Sequence, residues 1–135
     1  MTNRILASAI LAFGVTQPQF ADALTVRNGV RVNQVNSAVF EAVPRSSGNG
    51  MIFWCAASEY ARRALNASWQ TEIYVARGMG PSETTNRRSA VQFTIDPNAA
   101  GVTPIDGSHS LNSFKVGDHM SVQRANGFCE EQPVW

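Results

Sequence analysis

Two cysteines, Cys55 and Cys129, and two histidines, His109 and His119, are the residues best able to do chemistry in this chain. Cys55 lies in the first turn of a stretch with helical spacing, Gly50 to Ser68 (GMIFWCAASEYARRALNAS). The dipole at a helix N-terminus favours a thiolate, so this is where a nucleophilic cysteine would be placed. His119 or His109 would then serve as base, with Asn126 orienting it. The competing use of Cys55 is a disulfide to Cys129. An even cysteine count in an exported chain reads as one bridge. Cys55 also sits about 140–160° around the helix from Phe53 and Tyr60, at about 100° per residue. It is off the apolar stripe, and a staple accounts for that. The expected pairing is therefore Cys55–Cys129 and no catalytic residue is assigned; the alternative is a hydrolase using Cys55 and His119.

Other constellations are thinner. His109, His119, Met79 and Met120 are ligand types that would suit copper, but only His119 and Met120 are adjacent, and on a strand they point to opposite faces. No metal site and no cofactor are expected. Arg77, Gly78 and Gly80, followed by Arg87 and Arg88, could cradle an anion with guanidinium and backbone N–H groups. The alternative is a solvated connecting loop whose glycines serve turn geometry. Phosphate-loop and dinucleotide fingerprints are lacking. Glu41, Glu59, Glu72 and Glu83 have no spacing that pairs two of them for glycoside hydrolysis. Ser58, Ser68, Ser82 and Ser89 lack a nucleophile elbow. Trp54, Trp69 and Trp135 read as packing residues, and Trp135 as a possible partner contact. An enzymatic role is not favoured.

The elements that must position these residues can be read in order. Leu24 to Val35 alternates around Asn28-Gly29, a type I′ hairpin signal, and reads as a small hairpin or a loosely held arm. Ala38 to Val43 is a strand ended by Pro44. In the helix, Asn49 and Gly50 supply the start signal. Phe53, Ala56, Ala57, Tyr60, Ala61 and Ala64 form the buried stripe, and Glu59, Arg62, Arg63 and Asn66 fall opposite. Glu59 and Arg63 are a favourable i, i+4 pair. Trp69 to Arg77 reads as a central strand and Gly78 to Arg88 as a long polar loop. Ser89 to Ile95 alternates, with Val91, Phe93 and Ile95 inward and Gln92 and Thr94 outward. Asn98 to Ser110 is irregular, Leu111 and Phe114 are anchors, and His119 to Arg124 is a last strand with Met120 and Val122 inward. The expected fold is α+β, one helix on a mainly antiparallel sheet of about four strands, held by one disulfide.

The N-terminus sets the compartment. Arg4, the apolar run Ile5 to Val15 and Ala21-Asp22-Ala23 read as a signal peptide over residues 1–23. The apolar run is too short for a membrane span, which needs about 20 residues. Residues 24–135 then form one α+β domain, periplasmic or secreted. The net charge is +1, so no strong field argues for nucleic acid or an anionic membrane. The expected role is a monomeric, non-catalytic binding module whose partner is another envelope protein or an envelope component. A structural or assembly role, with Trp135 and the 24–36 arm docking on a neighbour, is the other alternative.

Two resemblances bear on this. A cysteine on a helix followed by a histidine at the start of a later strand has the coarse order of papain-like and NlpC-like cysteine peptidases. Phe53-Trp54-Cys55-Ala56 and the Gly117-Asp118-His119 context depart from the local motifs of the second group. The run FWCAASEYARRALNASWQTEIYVARGMGPS, with RRSAVQFTIDP after it, resembles small exported proteins of alphaproteobacteria that carry no assigned function. It spans roughly Phe53 to Thr103 and implies export and a pair of cysteines, and no activity.

Overall fold

The computed structural model describes residues 23–46, 48–106 and 110–130. The expected signal peptide, apart from Ala23, lies outside the described residues, as do His109 and Trp135. The fold is α+β, with one antiparallel sheet of six strands. These are β1 (Leu24–Thr25), β2 (Arg31–Gln34), β3 (Phe40–Val43), β4 (Glu72–Gly80), β5 (Ala90–Thr94) and β6 (His119–Ser121), in the order β1-β2-β3-β5-β4-β6. The sheet has two more strands than the four expected, because the 24–35 segment, read as a small hairpin or a loosely held arm, pairs onto its edge as β1 and β2. The hairpin signal is realised. Asn28 and Gly29 both take left-handed backbone, φ 64 and 70, as a primed turn demands. Val26 N donates to Val30 O at 2.9 Å and Thr25 pairs with Arg31, so this segment is the edge of the sheet.

Helix α1 (Gly50–Arg63) starts as expected, with the Asn49 side chain accepting from Ile52 N at 3.1 Å. It stops sooner than the apolar spacing implied. Asn66 adopts a left-handed φ of 54 and Ala67 N reaches back to Ala61 O at 2.9 Å, a glycine-type C-terminal closure made by asparagine. Phe40 stacks on Tyr60 with ring centroids 4.7 Å apart, and Trp54 meets Phe93 edge-on at 5.1 Å. These contacts bind α1 to the sheet face formed by Phe40, Ala42, Val75, Val91 and Phe93. Phe114 packs edge-on against Phe53 at 5.1 Å, confirming it as an anchor.

The expected last strand is only half strand. After Ser121, whose hydroxyl accepts from Arg124 N at 3.1 Å, the chain coils into α3 (Val122–Asn126) and a 3₁₀ turn, Gly127–Cys129. A short helix α2 (Pro97–Ala100), capped by Asp96, also forms in the stretch read as irregular. α3 and the 3₁₀ turn cover the back of α1, so that helix is sandwiched. Glu59, expected on a solvated side, is consequently 6 % exposed. It is compensated by Arg27 at 2.9 Å and Arg63 at 3.7 Å. Cys55 is buried for the same reason and is bonded to Cys129 across this interface, closing a separation of 74 residues. Such a bridge is consistent with an oxidising compartment. No helix among the described residues is long and apolar enough to cross a membrane.

In the chain-entropy description this loop contributes roughly 4 kcal/mol of stability. Both cysteines are expected to resist alkylation in the native protein until it is reduced, as read by intact mass. Urea titration of the Cys55→Ser, Cys129→Ser double variant should show a loss of about that size. A loss below about 1 kcal/mol would mean the bridge only decorates a core that is already sufficient.

Candidate functional site

The face of the sheet turned away from α1 is polar and is covered by the loop joining β4 to β5. Register explains which side chains meet there. Asn33 pairs with Glu41, and Glu41 with Gln92. These three alternate with Val32, Ala42 and Val91, which face the core. Gln92 and Thr94, expected outward, are indeed on the outer face but are 6 % and 0 % exposed. The loop meets Gln92, whose Nε2 donates to Glu83 Oε2 at 2.8 Å, and Thr94 Oγ1 donates to Ala38 O at 2.6 Å. β4 runs on to Gly80, so the loop is shorter than the 78–88 stretch read from composition.

Glu41 is the centre of this face. It is fully buried, and its carboxylate accepts five hydrogen bonds. Oε2 takes the hydroxyl of Ser82 at 2.6 Å, the N–H of Thr84 at 2.9 Å and the Thr84 hydroxyl. Oε1 takes Glu83 N at 3.1 Å and Gln92 Nε2 at 3.3 Å. Asn33 Nδ2 completes the net by donating to Thr84 Oγ1 at 2.9 Å. Burial alone would raise the Glu41 carboxyl. The hydroxyls of Ser82 and Thr84 and the N–H groups of Glu83 and Thr84 more than offset it, and hold the group below the ordinary glutamate range. Along the sequence Glu41 is one of four scattered carboxylates. A glutamate among apolar neighbours in AVFEAV was the one signal available, since a lone acid in a short buried strand must find donors.

The Glu41 clamp shapes what lies beside it. Ser82 Oγ also accepts from Thr85 N at 2.9 Å and Thr85 Oγ1 at 2.7 Å. Thr85 Oγ1 accepts in turn from Arg87 N at 3.1 Å, and Ser82 N donates to Arg87 O at 2.9 Å. The loop is thus one stitched turn, and it carries Arg87 to the strand ends. There Thr25, Arg31 and Val43 stand in one cross-strand row of β1, β2 and β3. Arg45 follows two residues beyond Val43. The result is a cleft of about 370 Å³ lined by Arg31, Arg45 and Arg87 together with Thr25, Thr85, Val43 and Pro44. None of the three arginines is ion-paired among the described residues. Arg31 Nε is oriented by Asn33 Oδ1 at 3.2 Å and Arg87 Nη1 by Arg45 O at 2.8 Å.

The residues singled out from sequence are distributed as follows. Arg87 lies in this cleft, and Arg88 follows it, exposed. Gly78 and Gly80 lie within β4. Arg77 is folded onto its own sheet, with Nε 3.3 Å from Gly78 O and Nη2 3.2 Å from Ala90 O. Arg31 and Arg45 were missed, because nothing local brings two arginines from separate strands to one loop. Cys55, being bonded to Cys129, carries no thiol in this structure. His119 sits on the outer face, its ring 5.0 Å from Tyr74 and its Nδ1 3.6 Å from Glu72, with the sheet between it and Cys55. Asn126 does approach the sulfur pair, its Nδ2 3.7 Å from Cys129 Sγ. Cys55, Glu59 and Cys129 bring metal-type ligand atoms within 4.8 Å of one another, but both sulfurs are consumed by their mutual bond. Comparison with protein-family models, with curated proteins and with solved structures finds no match to this chain.

Because the folded-state value of Glu41 is lowered, its contribution is complete above the unfolded value of about 4.3. It is lost as pH falls through the folded value. Replacing Glu41 by Gln leaves buried donors facing an amide and should cost about 3 kcal/mol at neutral pH. Urea midpoints measured across acid pH should show the gap between wild type and Glu41→Gln narrowing below about pH 4. A gap that stays constant with pH would refute the role of the charged carboxylate.

Proposed function

We propose that this is an exported, non-catalytic binding module whose ligand is an anionic component of the cell envelope or its surroundings. The observation that supports it most directly is the arginine cleft. Three guanidinium groups with no acidic partner among the described residues line one depression on a protein whose net charge is only +1. Unpaired cations are ordinarily spread out by mutual repulsion. Their convergence favours a ligand that brings the missing negative charge. Guanidinium groups are also the side chains best shaped to hold oxyanions through paired N–H donors.

The disulfide and the signal-like N-terminus support the compartment, as does the resemblance to exported proteins. The cysteine-hydrolase alternative draws no support from the geometry, since its nucleophile is engaged in a bond and its base lies across the sheet. A rigid scaffold with a preformed cleft at a loop-bearing end is the usual architecture of recognition.

Amide resonances of Thr25, Arg31, Arg45, Thr85 and Arg87 are expected to shift together when simple anions are titrated into the protein. The shifts should weaken as salt is raised and vanish in an Arg31→Gln, Arg45→Gln, Arg87→Gln triple variant. If no anion moves these residues at low salt, the reading is wrong.

A further inference from the structure

We infer that the group seated in the cleft is a phosphate-type dianion carried on an organic body, a phosphomonoester, and that Arg31, Arg45 and Arg87 hold it jointly. This rests on the anion-binding reading and adds the class of ligand. Charge is the first argument. Three cations without a compensating acid are balanced better by a dianion than by a carboxylate. Geometry is the second. Arg31 comes from the start of β2, Arg45 from just beyond β3 and Arg87 from the β4–β5 loop, so the cations belong to three separate segments. A carboxylate presents two oxygens in one plane and is filled by one or two guanidinium forks. A phosphoryl group presents three terminal oxygens in different directions and suits three.

The donor inventory agrees. Arg31 spends Nε on Asn33 and Arg87 spends Nη1 on Arg45 O, while the Arg45 guanidinium donates to no described residue. The first two bonds orient the side chains and leave most of their N–H groups unused. Size agrees as well. A cleft of about 370 Å³ is roomier than a bare ion needs, and Val43 and Pro44 give its lining an apolar part. The organic part of the ester would lie over those two residues.

Phenyl phosphate and benzoate share a ring and differ in the anionic head, so they separate the class from the charge. Phenyl phosphate is expected to bind at least about tenfold more tightly than benzoate, and more tightly than inorganic phosphate, by calorimetry at low salt. Arg45→Gln should weaken it about tenfold, the loss of charge-assisted hydrogen bonds. Arg45→Lys should not restore it, since lysine keeps the charge and loses the fork. The substituted side chains are exposed, and circular dichroism confirms the fold of each variant. Equal binding of benzoate and phenyl phosphate would overturn the phosphate assignment and leave the anion reading standing; binding of neither would overturn both. Vesicles of phosphatidylcholine with and without phosphatidic acid identify the source. Binding only to the acidic vesicles, competed by phenyl phosphate, supports a lipid headgroup. No vesicle binding by a protein that takes phenyl phosphate supports a soluble ester. Phenyl phosphate binding indifferent to Arg45→Gln would overturn the proposal.

Discussion

A carboxylate buried in the middle of a sheet face is stable only if donors replace all the water it loses. Glu41 has no charged partner among the described residues, and neutral donors supply its compensation. They come from Gln92 on the neighbouring strand and from the turn at Ser82, Glu83 and Thr84, some 40 residues later in sequence. The polar face therefore cannot form piecemeal. The β4–β5 loop lies down because the carboxylate requires its hydroxyls and N–H groups, and once down it engages Gln92 as well. The same turn sets the direction in which Arg87 leaves. The cleft at the strand ends is thus held through Glu41, although Glu41 does not line it.

The opposite face obeys a different constraint. α1 is an alanine-rich helix, and small side chains let elements approach on more than one side. The aromatic residues Phe53, Trp54 and Tyr60 fill the space against the sheet and its flank. α3 and the turn to Cys129 close over the back. The helix is buried at every residue from Phe53 to Ala61, which is why Glu59 is tied to Arg27 from the β1–β2 connection. The disulfide sits in that second interface. It joins the helix start to the last described segment, where a short helix and a 3₁₀ turn bury too little surface to hold themselves.

Several features were legible because their causes are local. Asn28-Gly29 can take left-handed backbone, so it turns the chain wherever it is. Asn49 caps α1 because its side chain reaches Ile52 N within one turn. The alternation of Val91 and Phe93 identifies a strand and its core face. Other features were misread because their causes are distant. Glu59 looked solvated until α3 covered it, and the extent of β4 was hidden by glycines that resemble a loop. Gly78 is in fact needed in the strand, because a Cβ there would lie 2.9 Å from Phe114 O. The run after Ser121 had strand-like residues and became helical once Ser121 capped it.

By itself the chain's sequence determined the α+β class, the helix and its start, the hairpin, and the two sulfurs available for a bridge. Each follows from residue type, short-range periodicity or a count, none of which needs a partner from elsewhere in the chain. Only the tertiary structure decided that Glu41 would be a buried hub and that Arg31, Arg45 and Arg87 would share a cleft. Those outcomes depend on strand register and on the path of a loop, and both are set by which long-range contacts satisfy buried polar groups. A charge pattern spread over three segments has no signature along the chain, because its meaning arises from proximity in space.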